Sequence, residues 1–281
     1  MIVPLAWNDH HGPRLVNRYP VHMTEGRDLT FDAGTGRSLR AFLAEPAGVA
    51  DGTPAASPAV IVVHEAMGLN DDIRRIASRF ADNGYVTLAP DLIGAGWAPL
   101  CIARFFQGMG KVGTGRPYRE MRAFHDWLAK QPGVDPDRVG MAGFCAGGGF
   151  ALLYASRGRR KLRAIAPFYG AMPADESIIP DVCPTVASYG GRDGVFGRNG
   201  PKLQAALDTA GIPHDVKTYP EAGHSFMSRH TGLMATLDPI MPTHAGFDGP
   251  ASEDAWTRVL GFFGEHLAPR ATGEEANPAH A

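Results

Sequence analysis

The sequence predicts a single α/β domain in which a mostly parallel central sheet carries helices on both faces. Strand-like apolar runs alternate with helix-like segments through most of the 281 residues, the order typical of β-α-β units. Several runs, such as AVIVVH at 59–64, are apolar at nearly every position, as expected for strands buried on both faces. The chain is 44% hydrophobic and 20% charged, an ordinary globular balance in a chain long enough to bury a large core.

The predicted elements follow one another in a regular order. Two opening strands flank a Gly-Thr-Gly turn, and a loop rich in Pro, Ala and Gly comes next. Residues 91–116 contain many glycines and have weak periodicity, so we predict a long connecting loop that acts as a lid or binding loop. The predicted strands cover 28–33, 38–45, 59–64, 85–90, 138–144, 163–170, 185–191 and 214–220; the predicted helices cover 71–84, 117–131, 201–211 and 252–267, with one more that includes 150–157.

Three segments are predicted along the chain: an N-terminal extension at 1–27, the α/β domain at 28–267 and a disordered tail at 268–281. The tail is rich in Ala, Pro and Glu, a composition typical of frayed termini. The N-terminal residues lack the basic start and apolar stretch of a signal peptide. No apolar run approaches the roughly 18 residues of a membrane span. We therefore expect a cytoplasmic protein without a membrane partner.

The charge and the cysteines exclude several classes of function. A formal net charge of -2 does not favour nucleic acid as a partner. The three cysteines, Cys101, Cys145 and Cys183, are scattered and odd in number, so they indicate neither a disulfide framework nor a zinc site. We expect a monomer or homodimer that acts on a small molecule.

The strongest local signal is the sequence Gly-Phe-Cys-Ala-Gly at 143–147. A nucleophile between two such glycines is typical of a sharp strand-to-helix turn, where larger side chains would collide with neighbouring backbone. The turn puts the sulfur of Cys145 at a helix N-terminus, whose partial positive charge favours a thiolate. A phosphate-binding loop is the rival interpretation, but its Gly-Lys-Ser/Thr ending is missing. A buried structural cysteine in a turn of small residues remains the other alternative.

An acid and a histidine follow Cys145 in the order that this kind of site requires. Asp193 comes just after the predicted strand 185–191, and His224 comes just after the strand 214–220. An imidazole would hold the thiolate and protonate the leaving group, and a carboxylate would fix its tautomer. Each residue taken alone fits a structural turn position. The three residue types in order, each after a strand, favour a catalytic triad.

The loop after the early strand 59–64 supplies the next candidates. In such sites one oxyanion-binding amide comes from this loop and the other from the residue after the nucleophile. The backbone amides of Ala66 and Ala146 are therefore the predicted donors. Glu65 would lie at the mouth of the site and influence the thiol by its charge. Its alternative role is to cap the following helix.

Four motifs together resemble the dienelactone hydrolase family: HEAMGLN at 64–70, GFCAGG at 143–148, GGRD at 190–193 and YPEAGHSF at 219–226. The resemblance runs from about residue 28 to about residue 267. It implies an α/β-hydrolase fold without a large separate cap domain, and a triad of Cys145, Asp193 and His224. It also implies that Glu65 interacts with the resting thiol and is displaced by an anionic substrate. No metal or organic cofactor is expected.

The sequence departs from the family pattern where substrate is held. The best-known members bind a substrate carboxylate with arginines, one of them four residues after the triad histidine. Here that position is Ser228, and an arginine comes one residue later. The segment 230–250 either shapes an apolar pocket or packs as an ordinary loop. The candidate substrate-contacting residues are Arg229, Phe226, Trp97 and Arg104.

Hydrolysis of a carboxylic ester or lactone is the leading function. Acyl transfer to an alcohol or amine would use the same triad, because the outcome depends on how well water is excluded. A non-catalytic ligand binder or redox sensor would use Cys145 only as a reactive thiol. Asp193 and His224 argue against this third class, since a sensor needs neither.

Overall fold

The computed structural model describes residues 24–32, 38–47, 56–94, 98–157, 162–230 and 241–269. The predicted extension and tail fall mostly outside these residues. The strands are β1 (Arg27–Asp32), β2 (Ser38–Ala44), β3 (Ser57–Val63), β4 (Val86–Pro90), β5 (Val134–Phe144), β6 (Ala164–Phe168), β7 (Thr185–Gly190) and β8 (His214–Tyr219). The helices are α1 (Asp71–Ala81), α2 (Ala98–Met109), α3 (Arg116–Leu128), α4 (Ala146–Arg157), α5 (Asn199–Ala210) and α6 (Gly249–His266), with a 3-10 helix at Glu176–Asp181.

The eight strands form one sheet in the order β1-β2-β4-β3-β5-β6-β7-β8. β1 and β2 are antiparallel, and β2 is antiparallel to β4. Every other neighbouring pair is parallel. After β3 the chain goes first to β4 on one side, and β5 then adds on the other side. The carboxyl end of β3 is thus a switch point, where open α/β sheets bind their ligands.

The sheet has a hydrophobic core on each face. Alternate residues of β3 belong to different cores: Ile61 faces one and Val62 faces the other, as the pleat requires. The first core contains Phe150 of α4, and the second contains Trp256 of α6. The prediction of a mostly parallel sheet covered on both faces is therefore confirmed. Among the described residues, no helix has both the length and the apolar character needed to cross a bilayer.

The prediction of a loop at residues 91–116 was wrong in the middle of the segment, where α2 spans Ala98–Met109. Phe105 of α2 is fully buried and contacts Phe150, with 6.2 Å between the ring centroids. Gly108 weakens the helical pattern, yet it is needed for packing. A Cβ at this position would lie 2.6 Å from Cδ of Pro117 at the start of α3. The glycine that lowers helix propensity thus lets two helices approach closely.

Candidate active site

Cys145 lies on the tight turn between β5 and α4. Its φ is +53°, in the left-handed region that side chains other than glycine seldom adopt. Surrounding hydrogen bonds hold this strained backbone in place. The Cys145 amide donates to the Phe168 carbonyl at 3.1 Å, and its own carbonyl accepts from the amides of Gly148 and Gly149 at 3.0 and 3.2 Å. The side chain stays partly exposed, as the predicted role of nucleophile requires.

The glycines around Cys145 are required by close backbone approaches. A Cβ on Gly143 would lie 2.1 Å from the Gly147 carbonyl oxygen. A Cβ on Gly147 would lie 2.4 Å from the Val63 carbonyl oxygen and 2.7 Å from that of His64. The first turn of α4 therefore packs directly on the end of β3, which brings the loop after β3 next to the turn that carries Cys145.

His224 and Asp193 form a buried hydrogen-bonded pair. Nδ1 of His224 lies 2.6 Å from Oδ2 of Asp193, and His224 is also hydrogen-bonded to the side chain of Cys145. The other carboxylate oxygen of Asp193 accepts from the amides of Val195 and Phe196 at 2.9 and 3.0 Å. The carboxylate is thus held on both sides, and its orientation fixes that of the imidazole.

The pKa values of this pair shift in the directions that favour charge on both partners. Burial alone would lower the pKa of His224, but the hydrogen bonds to Asp193 and Cys145 outweigh it and raise the pKa to about 10. Burial would raise the pKa of Asp193, but hydrogen bonds from His224 and the Phe196 amide lower it below 3.8. The carboxylate is therefore ionised at neutral pH and stabilises a protonated imidazole.

Residues 242–246 support the two loops that carry Asp193 and His224 through backbone hydrogen bonds. No sequence motif indicated this support. The His224 amide donates to the Thr243 carbonyl at 2.9 Å, and the Gly246 amide donates to the His224 carbonyl at 3.1 Å. The Gly194 amide, next to Asp193, donates to the Pro242 carbonyl at 3.0 Å. The described part of the 230–250 segment therefore acts as a backbone frame for the site.

The Glu65 carboxylate is buried and fully partnered. One oxygen accepts from Oγ of Ser228 and the other pairs with Nε2 of His230, each at 2.9 Å. Burial would raise the pKa of Glu65, but the hydrogen bond and charge of His230 outweigh it and lower the pKa. The capping role that the sequence left open belongs to Asn70, whose side chain accepts from the Ile73 amide at 3.0 Å.

Tyr169 links the Glu65 network to the His224 side of the site. Its hydroxyl lies 3.1 Å from Oγ of Ser228, and because Ser228 donates to Glu65, the tyrosine donates to Ser228. Its ring centroid lies 5.0 Å from that of His224. Burial and the negative charge of Glu65 raise the pKa of Tyr169 well above 10, so the hydroxyl stays a donor. Only the folded structure brings these residues together, since no local motif contains them.

The predicted oxyanion donors lie on the two elements that meet at Gly147. Ala146 is the first residue of α4, and the amides of a first helical turn have no partner within the helix. Ala66 lies in the turn after β3. In the described part of the chain, no cluster of three or more His, Cys, Asp or Glu side chains is arranged to hold a metal.

The four candidate substrate residues have different surroundings. Arg229 is exposed, and its guanidinium carbon lies 4.7 Å from the ring centroid of Phe247. Arg104 has an exposed side chain on α2, and Trp97 falls outside the described residues. Phe226 is fully buried and packs on Tyr169, so it is a core residue, and the expected contact with substrate is not supported.

A cavity of about 490 Å³ opens beside Glu65 rather than over the Cys145 sulfur. It includes Met67 from the loop after β3 and His230, the partner of Glu65. Its lining combines apolar surface with charges of both signs, Asp72 and Arg229 among them. The lining residues are Met67, Asn70, Asp71, Asp72, Arg75, Arg229 and His230.

Comparison with known proteins shows the family to which the chain belongs. The chain is 26% identical over 274 residues to a Yersinia pestis protein named "Putative carboxymethylenebutenolidase", covering 92% of this chain and 94% of the relative. A dienelactone hydrolase-like promiscuous phosphotriesterase from metagenomic libraries superposes with a TM-score of 0.70 at 25% identity, covering 87% of this chain and 99% of that structure. A dienelactone hydrolase from Anabaena variabilis shares the fold, with a TM-score of 0.62 at 19% identity, over 88% of this chain and 100% of that one. The model of the Dienelactone hydrolase family matches residues 39–267, and the chain belongs to that family of α/β-hydrolases.

Proposed function

We propose that this chain hydrolyses carboxylic esters or lactones through an acyl-thioester on Cys145. The observation that carries this proposal is the hydrogen-bonded line from Asp193 through His224 to Cys145, in which Nδ1 of the imidazole lies 2.6 Å from the carboxylate. Membership of a hydrolase family supports the reaction class. The butenolidase name of the curated relatives supports lactones among the substrates.

In the acylation step, Sγ of Cys145 forms a bond to the carbonyl carbon while His224, whose raised pKa keeps the imidazole protonated at neutral pH, holds the proton that the leaving group will need. The carbonyl oxygen becomes an oxyanion, which the amides of Ala66 and Ala146 stabilise. The carbon–oxygen bond to the leaving alkoxide then breaks, and His224 gives this proton to that oxygen. With a lactone, the leaving alkoxide stays attached to the acyl group.

In the deacylation step, a water molecule attacks the thioester carbon while His224 removes one of its protons. The same two amides stabilise the second oxyanion. The carbon–sulfur bond then breaks, the carboxylic acid leaves, and the sulfur departs as a thiolate beside His224, which keeps the proton taken from water. Asp193 stays ionised throughout and holds the imidazole in the orientation that both steps need.

Product analysis on a panel of chromogenic esters and unsubstituted lactones tests the proposal. We expect the free acid as product, at a rate that does not change when an alcohol or amine is added. Formation of a new ester or amide would assign the chain to acyl transfer instead. Absence of turnover on the whole panel, with Cys145 still reactive towards alkylating agents, would favour a thiol-based binder.

Glu65→Gln is expected to speed alkylation of Cys145 and to slow turnover. Burial and the negative charges of Glu65 and Cys145 raise the pKa of Tyr169. The Glu65 carboxylate and the Cys145 sulfur are therefore both near the Tyr169 hydroxyl. Removing the carboxylate charge relieves repulsion of the thiolate. We expect iodoacetamide to react roughly two- to tenfold faster at neutral pH, since charges near a protein surface interact by a few kcal/mol at most.

The matched control is Glu253→Gln, which neutralises a carboxylate that pairs with Arg79 on the surface. This control should alkylate at the rate of the unmodified protein. If Glu65→Gln folds and alkylates with an unchanged rate at every pH, Glu65 does not act on the thiol, and the Cys145 triad stands without it.

Arg229→Ala is expected to impair esters that carry a carboxylate more than neutral esters of the same size. Its guanidinium lines the cavity beside Glu65, where it can accept a carboxylate of the substrate. Because Arg229 is exposed, we expect a loss in kcat/KM of roughly fivefold to tenfold for the anionic ester. Arg229→Lys should retain part of this preference. Equal losses on both esters would show that Arg229 acts only through its packing on Phe247.

A further inference from the structure

His64 is a fully buried histidine that no step above uses. It follows β3 directly, and both of its ring nitrogens are hydrogen-bonded to backbone. Nε2 lies 3.1 Å from the Leu92 amide nitrogen, and Nδ1 lies 2.6 Å from the Glu65 carbonyl oxygen. An amide can only donate and a carbonyl can only accept. The proton of the ring therefore resides on Nδ1, and Nε2 is an acceptor.

The protonation state of His64 agrees with this geometry. Burial lowers the pKa of His64 below 6.5, although the hydrogen bond to Glu65 and the charge of Asp91 act in the opposite direction. The ring is therefore neutral at physiological pH. A protonated ring would present a second N–H to the Leu92 amide, which is itself a donor.

The Glu65 carbonyl belongs to the same peptide unit as the Ala66 amide. The peptide is planar and trans, since the described chain contains no cis peptide bond. Its C=O and N–H therefore point in opposite directions, and a hydrogen bond that fixes one also fixes the other. The Glu65 carbonyl also accepts from the Gly68 amide at 3.1 Å. This hydrogen bond closes the turn formed by residues 65–68.

Leu92, whose amide donates to His64, is also hydrogen-bonded to a side chain of α3. The Leu92 carbonyl accepts from Nη2 of Arg116 at 3.1 Å. Nη1 of Arg116 pairs with the buried carboxylate of Glu120 at 3.1 Å. A continuous polar chain thus runs from α3 through the Leu92 peptides and His64 to the peptide between Glu65 and Ala66. Each member constrains the orientation of the next.

We propose that His64 is a positioning residue that holds the Glu65–Ala66 peptide so that the Ala66 amide is aimed at the forming oxyanion. The inference rests on the proposed function, because it gives the Ala66 amide a role in that reaction. His64 does not touch the substrate. It acts by preorganisation, which spares the site from reorienting a dipole as charge develops.

Four variants at two positions separate positioning from packing. His64→Leu removes both ring hydrogen bonds, whereas His64→Gln offers one acceptor to Leu92 and one donor to Glu65. His125→Leu is the matched control, since it removes another buried imidazole, on α3, bonded to Tyr154 at 3.3 Å. His64→Asn, which reaches only one backbone partner, replaces the leucine variant if that variant does not fold.

Two probes react with the same sulfur but differ in their need for an oxyanion donor. A trifluoromethyl ketone adds to the thiol and forms a tetrahedral oxyanion, whereas iodoacetamide alkylates the sulfur without one. For His64→Leu we expect the ketone to bind roughly tenfold to a hundredfold more weakly and kcat to fall by a similar factor. KM and the iodoacetamide rate should stay within about twofold, and His64→Gln should recover most of the loss.

The outcomes distinguish the two proposals. If the unmodified protein hydrolyses no ester, the proposed function fails, while ketone affinity still reports on His64. Unchanged ketone affinity in His64→Leu or His64→Asn would overturn the positioning role. An equal decline of ketone affinity and alkylation rate, or the same decline in His125→Leu, would also overturn it, because it would indicate a general loss of structure.

Discussion

Replacing Cys145 by alanine is expected to reduce kcat for ester hydrolysis by roughly four orders of magnitude or more. The substitution removes the only atom that bonds to the acyl group, while His224 and Asp193 keep their hydrogen bond. The fold should be retained, because alanine bears the same Cβ at the φ of +53° as cysteine does. The measurement is kcat on a chromogenic short-chain ester, together with the thermal unfolding midpoint.

The other two cysteines provide the control for this prediction. Burial raises the pKa of Cys183 to about 12, so at neutral pH it is a thiol and a poor nucleophile. Cys101 lies on α2, a different element from the turn that carries Cys145. Cys101→Ala and Cys183→Ala should keep activity within about twofold, as expected of sites outside the reaction. Loss of activity in Cys183→Ala with full activity in Cys145→Ala would exclude the proposed nucleophile.

Asp193→Asn is expected to lower kcat by roughly a hundredfold to ten-thousandfold, because an amide can hold the imidazole in the wrong tautomer. It should also change how stability depends on pH. The pKa of His224 is raised from 6.5 to about 10, so the stabilisation from this shift is complete below about pH 6.5 and is lost as pH rises towards 10. The pKa of Asp193 is lowered from 3.8, so its contribution is present above about pH 4 and is lost in acid.

Denaturant unfolding of Asp193→Asn and the unmodified protein at several pH values checks this prediction. The difference in unfolding free energy should be largest between about pH 4 and 6.5, on the order of 2 kcal/mol or more, and should shrink towards pH 10. Asp208→Asn is the control, since it removes a His–Asp pair at 3.5 Å in which the carboxylate of Asp208 is exposed. A difference that stays constant from pH 5 to 10 would mean that Asp193 does not set the protonation of His224.

The sequence predicted the sheet and the grouping of Cys145, Asp193 and His224, because each residue comes within about five residues after a strand whose apolar pattern is local. Parallel strands bring their carboxyl ends to one edge, so position along the chain was enough to bring these residues together. The same reasoning placed Ala66 and Ala146 on neighbouring elements. α2 was missed because Gly108, which packs on α3, interrupts the helical pattern.

Other features depend on pairings that a local pattern does not encode. Glu65 is hydrogen-bonded to Ser228 and His230, which lie more than 160 residues away in the sequence. The motif HEAMGLN contains no indication of these partners. The backbone frame around His224 joins two loops whose sequences share no periodicity. Phe226 lies two residues from the histidine, so its motif suggested contact with substrate, but packing on Tyr169 decides its burial.

The most direct test of a cysteine acyl-enzyme is to quench a slow ester substrate with acid during turnover and locate the acyl group by peptide mass spectrometry. We expect one acyl group on the peptide that contains Cys145, labile to hydroxylamine as a thioester is, and none in Cys145→Ala. An acyl group on any other residue, or turnover by Cys145→Ala at the rate of the unmodified protein, would contradict the proposed mechanism.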